Sequence, residues 1–376
     1  MHMAVERAIR RAWKGQGMKG RLLRLGLLPI SGLFAAAVEL RAVCYKLHLR
    51  RRARLPVAVA SVGNLAVGGT GKTPTTLWLA ERLRQRGYAV AIVSRGYGGR
   101  ATRATVVGTA RNRETPASRD PAVVGDESSM LARRFEGPVV VGRDRAEAAA
   151  LACREFLAEV LVLDDGFQHW ALQRDFDLVC LRAGGFGDSH LLPAGRLREP
   201  IGALRRAHAV LVTKGEEGVC LDSRIERALG GLPVHRGELR ATALVTPDGD
   251  VWRELPMGAL AARRALGVAG LADPQTFYAT LRDWDARLDD FLEFPDHHDY
   301  TLDDWKMIAS RSRGLDLVVT TEKDLVKLER FPFAKDKLAA VRVSMHVEEG
   351  ERLVESVAAA IERRRAELSR EPAGRP

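Results

Sequence analysis

Aromatic residues are scarce, at 6% of the 376-residue chain, and they are not interleaved with basic runs. That excludes a stacking surface for single-stranded nucleic acid. Cysteine is equally thin: Cys44, Cys153, Cys180 and Cys220 form no CxxC pair. They read as reduced, mostly buried thiols of a cytosolic protein. No long unbroken apolar run is present. The best stretch, Leu25 to Leu40, is interrupted by Pro29, Gly32 and Glu39 and is followed by no small-residue cleavage site, so it reads neither as a bilayer span nor as a signal peptide. No internal repeat or low-complexity tract stands out. Acidic residues are outnumbered, 48 against 59 basic ones, for a net charge of +11. An anionic partner follows: a nucleotide, a nucleic acid or an anionic membrane surface.

What is present begins with basic residues on both sides of that apolar stretch. Arg7, Arg10, Arg11, Lys14, Lys19, Arg21 and Arg24 precede it, and Lys46, His48, Arg50, Arg51, Arg52 and Arg54 follow. Such flanks suit a helix lying in the interface of an anionic membrane, with packing on the protein's own core as the alternative. Next comes VAVASVGNLAVGGTGKTPTTLWLAERLRQRGY, residues 57–88. An apolar strand, a Gly-rich turn, Gly-Lys-Thr and a helix make a phosphate-binding loop, because backbone N–H groups and a helix N-terminus attract an anion. Gly68, Gly69, Thr70, Gly71, Lys72 and Thr73 are the nucleotide-binding candidates. Lys72 would reach the outer phosphates and the Thr73 hydroxyl would sit on Mg²⁺. Ala66 stands where the general pattern has its first glycine.

Downstream, apolar strands alternate with helical segments, which predicts a mostly parallel sheet covered by helices. Ala89–Val93 ends in Ser94-Arg95-Gly96-Tyr97-Gly98-Gly99, either a site loop at a sheet edge or a plain turn. Val160–Leu163 ends in Asp164-Asp165-Gly166-Phe167-Gln168, the pattern of a Walker B strand whose carboxylate holds Mg²⁺. Asp164 is the metal candidate beside Thr73, with Asp165 and Gln168 supporting the ion or its waters; direct ligation by Asp164 or by Asp165 stays open. Residues 184–200 are Gly/Pro-rich and read as an active-site loop. Five regions are expected: a basic/apolar segment over 1–54, a phosphate-loop core over 55–233, a β-hairpin linker over 234–258 around Pro247-Asp248-Gly249-Asp250, a smaller α/β domain over 259–368 and a disordered tail over 369–376.

With these motifs in place, the chain resembles the tetraacyldisaccharide 4′-kinases, the lipid A 4′-kinases, over nearly its whole length. The resemblance is carried in order by GNLAVGGTGKTP (63–74), SRGYGG (94–99), VGDE (124–127), DDGFQH (164–169), LLPAGRLREP (191–200), FPDHHDY (294–300) and TEKDLVKL (321–328). Ala66 fits that family; Ser128 and Arg196 depart from it, each standing where Pro is common.

The resemblance implies a phosphotransferase that uses ATP and Mg²⁺ to phosphorylate the 4′-hydroxyl of a tetraacyl glucosamine disaccharide 1-phosphate. It implies a P-loop NTPase-like α/β fold, and a peripheral enzyme on the cytoplasmic face of a bacterial inner membrane. The expected partners are the glycolipid and the membrane surface, with no nucleic acid and no obligate protein partner. It also implies that Asp126 is the base, paired with His297 from the second domain, with closure bringing the two together. On the residues alone, Asp126 reads as a helix N-cap. Ser94, Arg95, Tyr97, Arg198 and Glu199 are candidates for substrate or phosphate contacts. Lys323-Asp324 would contact the nucleotide or stabilise an interface. The competing class is a P-loop GTPase or ATPase acting as a partner-regulated switch or metallocentre assembly factor, which would need neither the N-terminal segment nor a His-bearing second domain.

Overall fold

The computed structural model describes residues 13, 17–108, 119–185, 190–213, 221, 223–249, 251–261 and 263–370. Cys220, Arg7, Arg10, Arg11, Lys14 and Asp250 lie outside them. The chain forms two compact units, each assembled from separated stretches: Met1–Lys72, Val160–Glu238 and Val347–Pro376 in the first, Thr73–Glu159 and Leu239–His346 in the second.

The first unit is built on parallel strands β1 (Ala58–Gly63), β5 (Val160–Asp164), β6 (Phe176–Arg182), β7 (Ala209–Thr213) and the start of β8 (Val234–Asp248). β1 lies between β5 and β6, and β7 joins β6 to β8. Every residue of β1, β5 and β7 is buried. That is why these strands read as continuous aliphatic runs rather than as alternating patterns. Register fixes the chemistry at their carboxyl ends: Val62 pairs with Asp164, so the aspartate stands level with the start of the glycine-rich loop. Helix α6 (Ser223–Leu229) buries Ile225 and Leu229, and helix α10 (Gly350–Arg370) buries Leu353, Val354, Val357, Ala360 and Ile361. Its Arg364 donates to the Leu55 carbonyl at 2.9 Å. The helix continues past Ser369, where the tail was expected to begin.

The N-terminal segment differs from its expectation. Pro29, Gly32 and Glu39 do not interrupt it: helix α1 runs unbroken from Gly17 to Lys46. One face is tied to the first unit. Ser31 Oγ donates to the Leu191 carbonyl at 3.0 Å and accepts from Ala194 N at 2.9 Å, and Tyr45 stacks on Trp170. The tie substitutes tertiary hydrogen bonds and packing for the backbone bond that a proline removes. Met18, Leu22, Leu25, Leu33, Leu40, Val43 and Leu47 are exposed, at spacings that share the opposite face.

In the second unit, β2 (Val90–Ser94) pairs in parallel with β4 (Val139–Val141), and β3 (Thr105–Val107) runs antiparallel on β4. Helix α2 (Lys72–Gln85) leaves the glycine-rich loop, and α5 (Arg145–Phe156) follows β4. The short helix α3 (Pro121–Val124) is capped by Asp120 and leads into α4 (Asp126–Arg134). A second parallel set comprises β10 (Arg264–Ala269) between β11 (Arg287–Glu293) and β12 (Leu317–Thr321), with β13 (Leu338–Val347) beyond β12. The end of β8 turns through Gly249 into antiparallel β9 (Val251–Leu255). Alternate strand residues face two apolar layers. One contains Ala265, Leu317 and Val319 with Phe277 and Leu281 of α7 (Pro274–Asp283). The other contains Leu266, Val268 and Val318 with Ile308 of α8 (Leu302–Arg311) and Leu325 and Leu328 of α9 (Glu322–Leu328).

Candidate active site

In the first unit, the loop after β1 has the backbone an anion cradle needs. Gly68 (φ 126°) and Gly71 (φ 73°) occupy the left-handed half of conformational space, where a Cβ is strained. Ala66 does not; it forms a bridge with Leu197, so nothing there requires glycine. The bridge is part of a strap. Val67 N donates to the Arg196 carbonyl at 2.8 Å and Arg198 N to the Leu65 carbonyl at 2.7 Å. The Gly/Pro-rich segment therefore buttresses the phosphate loop. Asn64 Nδ2 donates to Thr70 Oγ1 at 2.9 Å inside the turn.

Lys72 Nζ lies 3.7 Å from Asp165 Oδ1, and Arg198 Nη1 reaches both Asp165 oxygens at 2.9 and 2.7 Å. Asp164 is 3% exposed at the end of β5. Gln168 Nε2 donates to the Asn64 carbonyl at 2.8 Å, while Gln168 Oε1 and Asn64 Oδ1 are buried with no hydrogen-bond partner among the described residues. Buried acceptors without donors are costly. Together with two aspartates, they form an oxygen set that suits a hydrated divalent cation, with Lys72 beside Asp165 to meet the phosphate. Glu199 faces elsewhere: it is 4% exposed, accepts from Arg206 at 2.6 Å and from Trp170 Nε1 at 3.4 Å. Burial depresses the Arg206 pKa despite Glu199, so this pair is costly to separate.

The second unit brings together residues far apart in sequence. Gly125 (φ 87°) lets the VGDE backbone press on SRGYGG: a Cβ there would sit 2.4 Å from the Tyr97 carbonyl oxygen. Arg100 N and Ala101 N complete the seam by donating to the Ala122 and Val123 carbonyls. Asp126 then opens helix α4. It is not the cap, because Gly125 holds that position without a side-chain bond. The Asp126 carboxylate is directed to other elements. Oδ2 lies 3.3 Å from His297 Nδ1 and accepts from Lys327 Nζ at 3.0 Å. Burial pushes this carboxyl up, but the His297 hydrogen bond and the charge and hydrogen bond of Lys327 outweigh it and hold it below the usual carboxylate range.

His297 adopts a left-handed backbone (φ 58°) and tilts against the Tyr97 ring, centroids 5.3 Å apart. Its Nε2 faces Lys323 Nζ at 3.1 Å, and Lys323 also donates to Asp296 Oδ1 at 2.7 Å. The neighbouring His298 is used structurally: it bonds Asp304 at 3.0 Å and packs against Phe294 and Tyr300. Both members of the expected Asp126–His297 pair lie in the same compact unit, so they meet here without any domain closure. Ser94 is buried at the end of β2; Arg95 and Tyr97 are exposed beyond it.

Lys327 was missed. It stands in TEKDLVKL beyond the Lys323-Asp324 pair, and the structure makes Glu322–Leu328 a helix capped by Thr321. The signal was available: Thr321 Oγ1 accepts from Asp324 N at 3.1 Å and donates to the Asp324 carboxylate at 2.8 Å, the reciprocal threonine–acid spacing of a helix start.

A sequence model of the tetraacyldisaccharide-1-P 4′-kinase family, LpxK, matches residues 23–362. The chain belongs to this kinase family. A tetraacyldisaccharide 4′-kinase of Anaeromyxobacter sp. (strain Fw109-5) is 40% identical over 368 residues, spanning 94% of this chain and 97% of that relative. One from Syntrophobacter fumaroxidans is 39% identical over 319 residues, spanning 80% and 81%. Among solved structures, the LpxK of Aquifex aeolicus, crystallised in an "apo" form in complex with ATP, superposes with a TM-score of 0.76 at 31% identity, covering 90% of this chain and 99% of that one. The parallel α/β architecture agrees with this LpxK fold.

Proposed function

We propose that this LpxK-family chain transfers the γ-phosphate of ATP to the 4′-hydroxyl of a tetraacylated glucosamine disaccharide 1-phosphate, with Asp126 as the base. The observation that carries the assignment is the placement of both Asp126 donors on Oδ2, among the described residues, leaving Oδ1 to receive the hydroxyl proton. A sugar hydroxyl is a weak acid, so an ionised, fixed carboxylate assists its attack. The new O–P bond forms as the bond from the γ-phosphorus to the β,γ-bridging oxygen breaks. The hydroxyl proton passes to Asp126 and ADP leaves.

Residues 68–73 cradle the nucleotide, with Lys72 on the outer phosphates. Thr73, Asp164, Asp165 and Gln168 would hold Mg²⁺ directly or through water, where the ion would neutralise phosphate charge. Arg95 and Tyr97 beyond β2, with Ser94 at its end, and Arg198 contact the acceptor or its phosphate. Glu199 acts in this reading by seating Arg206 and Trp170 beside that loop. The chain works as a peripheral protein on the cytoplasmic face of the inner membrane, through helix α1. One described helix, Met18–Lys46, is long and apolar enough to cross a membrane. Its ties through Ser31 favour lying on the membrane surface instead.

Incubating purified protein with Mg-ATP and the disaccharide lipid should yield a lipid heavier by one phosphate in mass spectrometry. Lys72→Ala and Asp164→Ala should abolish that product while the melting curve stays cooperative. ATP hydrolysis that proceeds fully without lipid, with no phosphorylated lipid formed, would point instead to a partner-regulated switch.

A further inference from the structure

Helix α9 carries two lysines four residues apart, and both reach the candidate catalytic pair. Lys327 is 5% exposed and sits between two carboxylates, 3.0 Å from Asp126 Oδ2 and 3.6 Å from Asp324 Oδ1. Asp324 is fully buried and is fixed by Gly270 N at 2.9 Å and by Thr321. Lys323, 14% exposed, bridges Asp296 and His297 Nε2. Asp296 Oδ1 also lies 3.9 Å from His297 Nε2, beyond hydrogen-bond reach; further neighbours are the Tyr97 ring on His297 and the Tyr300 ring, 5.6 Å from Lys327 Nζ. Burial and the Asp324 charge raise the Tyr300 pKa, so its hydroxyl brings no charge to the cluster.

An ammonium group has donors and no acceptor. As the ammonium partner of Asp296, Lys323 offers donors alone, so the ring nitrogen facing it is the acceptor. The single imidazole proton is then on Nδ1, pointed at Asp126. We propose that Lys323 is a positioning residue that restricts His297 to the neutral Nδ1–H tautomer, while Lys327 supplies the second donor to Asp126 Oδ2, so that α9 fixes the proton pattern of the pair. This rests on reading Asp126 as the base. It gives TEKDLVKL a task in the reaction that neither nucleotide contact nor interface packing covers. It also accounts for the left-handed backbone of His297, which seats the ring between two partners on different elements.

The test uses the full chain labelled with ¹⁵N in its histidine rings, alongside kinetics with Mg-ATP and the disaccharide lipid. In the wild type, under the assay conditions, the His297 Nε2 signal should read as an unprotonated acceptor and Nδ1 as protonated. Lys323→Met should release a mixture of tautomers and lower kcat about ten- to a hundredfold, with both KM values held within about twofold. Lys323→Arg, which retains a charged donor, should restore the wild-type ring signals and most of kcat. Lys327→Met should shift the acid limb of the kcat–pH profile upward, because Asp126 loses its cationic partner.

A wild-type spectrum with Nε2 protonated overturns the proposal, whether or not any variant folds. So does a Lys323→Met protein with unchanged ring signals and an unchanged pH profile. Asp126→Asn separates the two levels: near-normal phosphorylation of the lipid by that variant removes the base reading itself, and the ring spectra remain interpretable without it.

Discussion

At the scale of single residues, Asp165 (φ 53°) and His297 (φ 58°) share a left-handed backbone, uncommon for residues with a side chain. Such conformations cost on the order of 1–3 kcal/mol and persist where surrounding contacts over-determine them. Asp165 is held by Lys72 and Arg198, and His297 by Asp126, Lys323 and Tyr97. Asp126 carries the clearest pH signature. Its folded pKa is lowered from 3.8, so it stabilises the fold fully above that ordinary value. That contribution disappears as the pH falls through the depressed folded value. Asp126→Asn should therefore be less stable than wild type at neutral pH, with the gap narrowing in acid below about pH 4. Urea midpoints measured across that range check the sign. In the same variant kcat should fall by about 10²–10⁴ while ATP binding is retained, since one oxygen of the base becomes an amide. A residue serving only as a helix cap would lose melting temperature and keep its turnover.

At the scale of elements, the strands of the first unit were legible because burial on both faces leaves aliphatic runs with few alternatives. Val160–Leu163 ending in paired aspartates announced both a strand and a metal candidate. The phosphate loop was legible as well, because Gly68 and Gly71 are demanded by backbone conformation. Helix α9 was not. Seven residues give fewer than two turns, too short for periodicity to show, and its lysines find their carboxylates only across the fold. A different signal, the Thr321–Asp324 cap, was local and readable. Thr321→Ala should cost about 1 kcal/mol for the cap. It should also lower kcat, because α9 carries Lys323 and Lys327.

The helix is pinned at its other side by Arg134. This residue is 9% exposed, donates to Glu322 at 2.9 Å and also reaches the Val343 carbonyl and Ser344. Without Arg134, Glu322 keeps its second partner, Arg342 Nε at 2.8 Å, so Arg134→Met removes charge-assisted hydrogen bonds without stranding the carboxylate and should destabilise the protein by about 1.5–3 kcal/mol, read from chemical denaturation.

At the scale of the whole molecule, residues 73–159 form one compact unit with 239–346, although the order of motifs suggested a core ending near residue 233. Sequence adjacency cannot reveal this grouping. It depends on side chains such as Arg133 and Glu329, which meet at 2.5 Å across 196 residues of chain. The same limit hid the structure of α1, whose proline and glycine suggest a broken segment until Ser31 and Tyr45 are seen tied to the first unit.

The exposed face of α1 invites the last test. Seven large apolar side chains along one stripe have no reason to face water, and basic residues flank them. Burying such a stripe gains about 25 cal/mol per Å² of apolar surface, to which attraction between the basic flanks and anionic headgroups adds. Leu22→Asp with Leu33→Asp should release the protein from anionic lipid vesicles in a sedimentation assay while its melting temperature moves little, because neither side chain is packed. High salt should weaken wild-type binding without abolishing it, since the apolar share is insensitive to screening. If the double variant sediments with vesicles as wild type does, the face that contacts the membrane lies elsewhere on the molecule.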